Sequence, residues 1–444
     1  MKKPNILLIM TDQQRWDTLG CYGNRVVETP NLDWIAQEGT VFTRAYSCTP
    51  SCIPARASLL TGMDPWNTGI LGMGRGQGKM GGGFPHTLPG ELAKAGYHTQ
   101  GVGKMHFDPQ RALNGFHNTV LDESGRVESP GFVSDYQRWF ERNKTGDYGF
   151  TDHGIDWNSW MARPYHAPEF LHPTNWTVNE SLRFLQDRDP TMPFFLKMSF
   201  ARPHSPYDPP PYYFELYEKK PLPEPHVGDW AAMHDVPRDA ANPNAWRGRR
   251  SPEEIRRARA GYYGLITHID HQIGRLLAYL RKTGQFENTM IVFTSDHGDM
   301  LGDHHLWRKT YAYEGSAHIP LIVRLPRSMR DSVAARVDQP VCLQDIMPTL
   351  LEAAGVDIPD SVDGKSLLPL IHGEAAAWRE YVHGEHSTCY SEEQEMQYLT
   401  DGKHKYIWFP RLGTEQLFDL TADPGECRDL VQDEGSRAEL LKWR

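Results

Sequence analysis

The chain contains no Cys-x-x-Cys pair. Its six cysteines (Cys21, Cys48, Cys52, Cys342, Cys389 and Cys427) share no paired spacing. Zinc-ribbon and thioredoxin-type chemistry therefore lack support, and a reducing compartment fits best. No apolar run approaches the roughly 20 residues of a membrane span. The N-terminal MKKPNILLIMTDQQ holds a short apolar stretch that Asp12 ends, too short for a secretory signal with a cleavage site. The chain as given thus reads as cytoplasmic, with no membrane partner. Positive charge is in deficit: 47 Lys and Arg stand against 57 Asp and Glu, for a net charge of −10. That argues against non-specific nucleic-acid binding, and any site for an anion must gather its cations locally. There is no internal repeat. A Gly-rich tract at 72–83 (GMGRGQGKMGGG) contains a GxGxxG, but no strand precedes it, so it reads as a loop and not as a dinucleotide site.

What remains is an ordinary globular composition in 444 residues, enough for a large core and two or three domains. Asn5–Met10 is a continuous apolar run, the mark of a strand buried on both faces. Similar strands are expected at Val41–Ala45, His98–Val102, Phe194–Phe200, Thr289–Ser295 and Pro320–Arg324. Helices are expected at Pro30–Glu38, after Pro54, at Thr87–Ala95, over Ser251–Arg281 and over Asp345–Ala354. The long one opens with Ser-Pro-Glu-Glu, which supplies a cap and a first-turn proline. Residues 105–175 hold few periodic patterns, and 203–252 are proline-rich and irregular. After about residue 375 shorter segments, such as Tyr398–Thr400 and Lys405–Phe409, suggest a small antiparallel sheet. Strands alternating with helices indicate an α/β sandwich, whose ligands collect at the carboxyl ends of strands.

Two acidic motifs lie at such ends: Thr11-Asp12-Gln13-Gln14, and Thr294-Ser295-Asp296-His297-Gly298-Asp299. Oxygen donors brought together from two distant strand ends suit a hard divalent cation. Between them lies the most specific run in the chain, CIPARASLLTG at 52–62. It places Cys52 two residues before a proline and four before Arg56, at the start of an expected helix where free N–H groups favour anions. Cys48 also has a proline two residues on, but Cys52 itself occupies its fourth position.

This run resembles the signature of the type I, formylglycine-dependent sulfatases. The resemblance extends from residue 4 to about 430. It takes in Lys104 and His106 in GKMHF, His204 in ARPHSP, Lys309, the run at 348–355, and Leu417-Phe418-Asp419-Leu420 with Asp423-Pro424-Gly425-Glu426. It implies the alkaline phosphatase-like fold, a three-layer sandwich with a large mixed β-sheet. A catalytic domain would span 1–374, and a C-terminal subdomain with a small antiparallel sheet and helix would span 375–444. It implies that Cys52 is oxidised by a formylglycine-generating or maturation enzyme. The resulting gem-diol offers one hydroxyl to attack sulfur and a second whose deprotonation ejects sulfate by C–O cleavage.

By the same resemblance Arg56 holds the gem-diol, Lys104 and Lys309 bind sulfate, and His106 contacts the nucleophile. His204, near the leaving oxygen, is the candidate general acid. Asp12, Gln13, Asp296, His297 and the oxygen at position 52 would hold one divalent metal ion. The chain departs from the family pattern at Gln13, often aspartate, and at His297, often asparagine. Calcium leads, but a nitrogen donor admits magnesium, manganese or zinc. The same departures resemble phosphonate monoester hydrolases and phosphodiesterases of the superfamily, which gives the alternative activity. The main reading is a sulfuric ester hydrolase acting on a small sulfated substrate, a mono- or oligosaccharide, with aryl sulfates as in vitro substrates. A binding relative without turnover is a third reading, against which the intact Cys52, Arg56, Lys104, His106 and Lys309 set weighs. Tyr207, Trp230, His234, 303–305, His383 and His386 are further candidate contacts.

Overall fold

The computed structural model describes residues 3–74, 77–374 and 377–444. The first apolar run forms strand β1 (Asn5–Asp12), every residue of it buried. Ile6, Leu8 and Met10 enter one core, and Leu7 and Ile9 enter another on the opposite face. A strand covered on both sides has no polar face, which is why the run is continuous.

β1 lies within an eight-stranded sheet. Its other members are β2 (Thr40–Phe42), β3 (His98–Gly103), β4 (Asn118–Leu121), β5 (Phe194–Pro203), β6 (Thr289–Ser295), β7 (Leu321–Arg324) and β8 (Arg336–Val337). The order across the sheet is β8-β2-β7-β6-β1-β5-β3-β4. β1 runs parallel to β5 and β6, while β7 is antiparallel to β6 and β2, so the sheet is mixed. Helices α1 (Cys52–Thr61) and α4 (Ile346–Ala353) send Ala55, Leu59, Met347 and Leu350 into the first core. Helices α2 (Pro173–Asp187) and α3 (Pro252–Lys282) send Val178, Leu265 and Ile269 into the second. The result is the three-layer α/β sandwich expected from the sequence. The expected cap is also formed: Ser251 and Glu254 make a reciprocal capping box at the start of α3.

A four-stranded antiparallel meander follows: β9 (Val382–His386), β10 (Met396–Thr400), β11 (His404–Phe409) and β12 (Thr414–Asp419). It docks directly on the segment before α1. Glu385 N–H donates to Cys48 O at 2.8 Å, and Tyr398 Oη donates to Ser47 O at 2.9 Å. The expected domain boundary after residue 374 falls at 375–376, outside the described residues, as do 75–76 of the Gly-rich tract. No described helix is long and apolar enough to cross a membrane.

The structure corrects several boundaries. The helix expected after Pro54 begins at Cys52, because a proline in the first turn lacks only an N–H that would have no helical partner. The strand expected over Val41–Ala45 is split into Thr40–Phe42 and Ala45–Tyr46, which belong to different sheets. The stretch 105–175 carries strand β4 and a helix at Asp135–Asn143, which the absence of long periodicity concealed. Helix α2 is wholly unanticipated, although Pro173 at its first turn is a start signal; its side-chain cap, His172, is not one that sequence announces.

Candidate active site

Cys52 is the first residue of α1 and is fully buried. Nine of the ten helix residues are buried, Arg56, Ser58 and Thr61 among them, so no face of the helix is left to solvent. Its cap residue, Ser51, makes no side-chain bond into the helix; Ser51 Oγ pairs instead with His386 Nε2 at 2.8 Å. The helix start is thus fixed from outside, by a histidine of the C-terminal meander.

Four side chains approach the Cys52 sulfur. Lys309 Nζ lies at 3.1 Å, His297 Nε2 at 3.2 Å, Asp12 Oδ1 at 3.7 Å and Lys104 Nζ at 3.8 Å. Burial and Asp12 push the thiol up. Lys104, Lys309 and His297 outweigh them and bring it down to about 6. Arg56, one turn along α1, is likewise buried. It donates through Nε to Asp296 Oδ2 (2.9 Å), through one terminal nitrogen to Lys104 O (2.6 Å) and Ser199 Oγ (2.9 Å), and through the other to Asp12 Oδ2 (3.1 Å). Lys104 also pairs with Asp12 Oδ2. Removing one partner from such a buried ion cluster costs about 3–5 kcal/mol. Burial raises Asp12, but Lys104 first, with Arg56 and Lys309, holds it well below the usual carboxylate range.

Asp12, Cys52, Asp296 and His297 offer ligand atoms that all lie within 4.8 Å of one another. The donor set fits a divalent cation. His297 Nδ1 donates to Gly298 O at 2.9 Å, which orients the ring so that Nε2 faces Cys52, Asp12 and Asp296. Asp296 Oδ1 accepts the backbone N–H groups of Gln13 and His297, both at 3.0 Å. Gln13 Nε2 donates to Asp299 Oδ2 at 2.6 Å, so Gln13 Oε1 faces the site and accepts from Lys309 at 2.8 Å. Tyr207 Oη donates to the same Asp299 oxygen at 2.5 Å. Gln13 (φ 70°), His106 (61°), Arg308 (68°) and Thr310 (82°) all hold left-handed backbone around this site. Non-glycine residues keep that conformation only where their surroundings enforce it.

The sequence-predicted residues are therefore brought together unevenly. Asp12, Gln13, Cys52, Arg56, Lys104, Asp296, His297 and Lys309 form one contiguous cluster. His204 is buried and bonded through Nδ1 to Ser205 O at 2.8 Å; burial first and Lys309 next push it well below the usual imidazole range. His106 is held from its far side. Its N–H and that of Met105 donate to Glu123 Oε1, each at 2.9 Å, and its Nε2 lies 2.6 Å from Arg126. Among the described residues its side chain makes no hydrogen bond to Cys52. Trp230 stacks on Tyr313 and bonds Glu426 O, Asp303 pairs with Arg15 and Arg259, and His383 stacks on Trp66, all away from the sulfur. Sequence reasoning missed Glu123, Arg126, Ser199 and the role of Asp299. Only Asp299 carried a signal, its place in the Asp-His-Gly-Asp run.

A family model described as sulfatase matches residues 4–356, and one described as N-sulphoglucosamine sulphohydrolase, C-terminal, matches residues 302–442. The chain is 47% identical to an arylsulfatase of Clostridium perfringens, over 97% of this chain and 91% of that protein. It is 27% identical to an N-acetylglucosamine-6-O-sulfatase of Bacteroides thetaiotaomicron, over 97% and 83% respectively. Among solved structures it is similar to the phosphonate monoester hydrolase of Agrobacterium radiobacter. That match has a TM-score of 0.82 and 26% identity, covering 99% of this chain and 94% of the other.

Proposed function

The chain belongs to the sulfatase family, hydrolases of sulfate esters with the alkaline phosphatase-like fold, and on that premise we propose that Cys52, oxidised to formylglycine, attacks the sulfur of a small carbohydrate sulfate. The observation that carries the reading is the setting of Cys52. The side chain to be oxidised starts a buried helix, and Lys309, Lys104 and His297 all lie within 3.8 Å of its sulfur. In a chain of net charge −10, three cations (Arg56, Lys104 and Lys309) face two carboxylates (Asp12 and Asp296) at this one place. Positive charge fixed before the substrate arrives is what an anionic transition state requires.

A formylglycine hydrate supplies one hydroxyl for attack and a second whose deprotonation releases the sulfate. A divalent ion, calcium first among the candidates, would be held by Asp12, Gln13, Asp296 and His297 and would polarise the sulfate oxygens. The remaining work falls to the side chains. Arg56 spans both carboxylates and keeps them in place. Lys104 and Lys309 both reach the Cys52 sulfur and would meet the sulfate oxygens. His204 is kept neutral by burial and Lys309; a bound anion would offset that lysine, so the histidine can gain the proton that a leaving alkoxide needs. An enzyme that oxidises Cys52 is the partner this reading requires.

The second reading, a phosphonate monoester or phosphodiester hydrolase, is favoured by Gln13 and His297 in the metal cluster and by the likeness to the Agrobacterium hydrolase. Turnover of 4-nitrophenyl sulfate against a phenylphosphonate monoester by the same preparation separates the two. Hydrolysis of the sulfate, abolished by Cys52→Ala, is expected; cleavage of the phosphonate alone would replace the first reading by the second.

A further inference from the structure

Next to this site the ends of β4 and β5 border a cavity of about 290 Å³, walled by Asp122, Tyr136, Phe150, Trp157, Tyr165 and Arg202. Its walls lead towards His106 on one side and His204 on the other. The Trp157 ring lies 5.5 Å from the guanidinium of Arg126, which is bonded to His106. On the other side Pro206, also in the wall, stands two residues after His204. Asp122 itself precedes Glu123, the residue that holds the backbone of Met105 and His106.

Most polar groups of the cavity are already committed. Arg202 donates twice to Asp208, at 2.8 and 3.0 Å. The hydroxyls of Tyr136 and Tyr165 both donate to Leu171 O. Asp122 differs. It is 1% exposed, its Oδ1 accepts the Ser124 N–H at 3.0 Å, and its Oδ2 has no hydrogen-bond partner among the described residues. Burial pushes its carboxyl up to about 6 while Arg202 and Lys104 pull it back, and Oδ2 is left unpartnered. A buried acceptor in that state is costly unless something else satisfies it. The aromatic walls around it suit the apolar faces of a ring, as ligand cavities commonly do.

We propose that this cavity receives the alcohol half of the substrate, and that Asp122 accepts a hydrogen bond from a hydroxyl or ammonium group on it. The proposal rests on the sulfatase reading and narrows its substrate class. The sulfate is drawn to the lysine side, and a donor on the alcohol is drawn to the Asp122 side. A polyol or amino-sugar sulfate satisfies both ends, whereas a plain alkyl sulfate leaves Asp122 unpaired.

The test uses three sulfates of one primary alcohol framework: glucose 6-sulfate, glucosamine 6-sulfate and cyclohexylmethyl sulfate, which has the ring but no donors. The wild-type enzyme is expected to favour at least one sugar over the cyclohexyl ester by about tenfold or more in kcat/KM, since a site built to bond a donor rejects the analogue lacking it. Asp122→Asn keeps an acceptor for Ser124 and removes the charge, and it is expected to erase that ratio. Loss on both sugars assigns the bond to a hydroxyl; loss on glucosamine 6-sulfate alone assigns it to the ammonium. Equal wild-type rates on all three esters, or a variant that lowers all three alike, would overturn the proposal. The wild-type comparison stands even if the variant does not fold. If the enzyme cleaves phosphonate but no sulfate esters, the sulfatase reading fails separately, and the same three alcohols as phosphonate monoesters test the cavity.

Discussion

Asp299 is a residue whose importance lies in what it orients. Its Oδ2 receives both Gln13 Nε2 and Tyr207 Oη, so it decides which end of the Gln13 amide faces Lys309 and the carboxylates. Its Oδ1 accepts the N–H groups of Leu301 and Arg308, bonds an asparagine can keep. Asp299→Asn is therefore expected to lower kcat/KM by about 10- to 100-fold, and to raise the divalent-ion concentration for half-maximal activity by a similar factor. Activity titrated against added metal, beside a melting curve, checks this. A lower melting temperature with unchanged metal dependence would give Asp299 a purely structural part. At this scale the sequence was legible where the chemistry is local. Cys52 and Arg56 are one helical turn apart, and Asp12 and Asp296 each end a recognisable strand. Glu123, Arg126 and Ser199 were not legible, because their meaning comes only from contacts folding creates: Arg56 meets Ser199 across 143 positions. Gln13 was read as a ligand, but the partner that orients it lies 286 positions away.

Among the elements, strands buried on both faces were the easiest to read, since a short continuous apolar run bounded by turn residues suits a doubly covered strand and little else. Helix α2 was harder, because it begins at the end of 105–175, a stretch with few periodic patterns. The meander was foreseen as a small sheet, but nothing in its pattern announced that it holds the segment before Cys52. Gly384 in β9 makes that contact close. A methyl group there would overlap the Tyr398 ring and come within 2.6 Å of Cys48 O. Gly384→Ala is expected to push β9 off the 47–52 segment and to weaken the Glu385–Cys48 and Tyr398–Ser47 bonds. Hydrogen exchange should then speed up at Glu385, and activity should fall although no substituted atom touches Cys52. Unchanged exchange and activity would mean that the meander merely lies alongside.

The whole molecule is tied together by a buried charge triad. Lys405 of β11 pairs with Glu314 at 2.7 Å and with Glu426 at 2.9 Å, joining the meander to the segment that follows Lys309. Two carboxylates share one ammonium, so only one of them ionises easily. Burial pushes Glu426 up, Lys405 pulls it back and Glu314 pushes it up again, leaving it at about 7. An unfolded glutamate titrates near 4.3, so between those values the folded state holds a proton that the unfolded state has released. Stability then falls as pH rises through that window, by about 4 kcal/mol at most. Glu426→Gln mimics the protonated form. Its melting temperature is expected to match wild type near pH 5 and to exceed it near pH 8. The opposite order, with the variant weaker at pH 8, would place an ionised Glu426 in the native state.

All of these expectations surround one side chain, and its chemical state is the most direct test of the proposed mechanism. Mass spectrometry of the tryptic peptide Ala45–Arg56 from active, natively expressed enzyme would read that state. The mechanism predicts an aldehyde at position 52 that reacts with a hydrazide and accompanies activity from fraction to fraction. An unmodified thiol at Cys52 in fully active enzyme would contradict it.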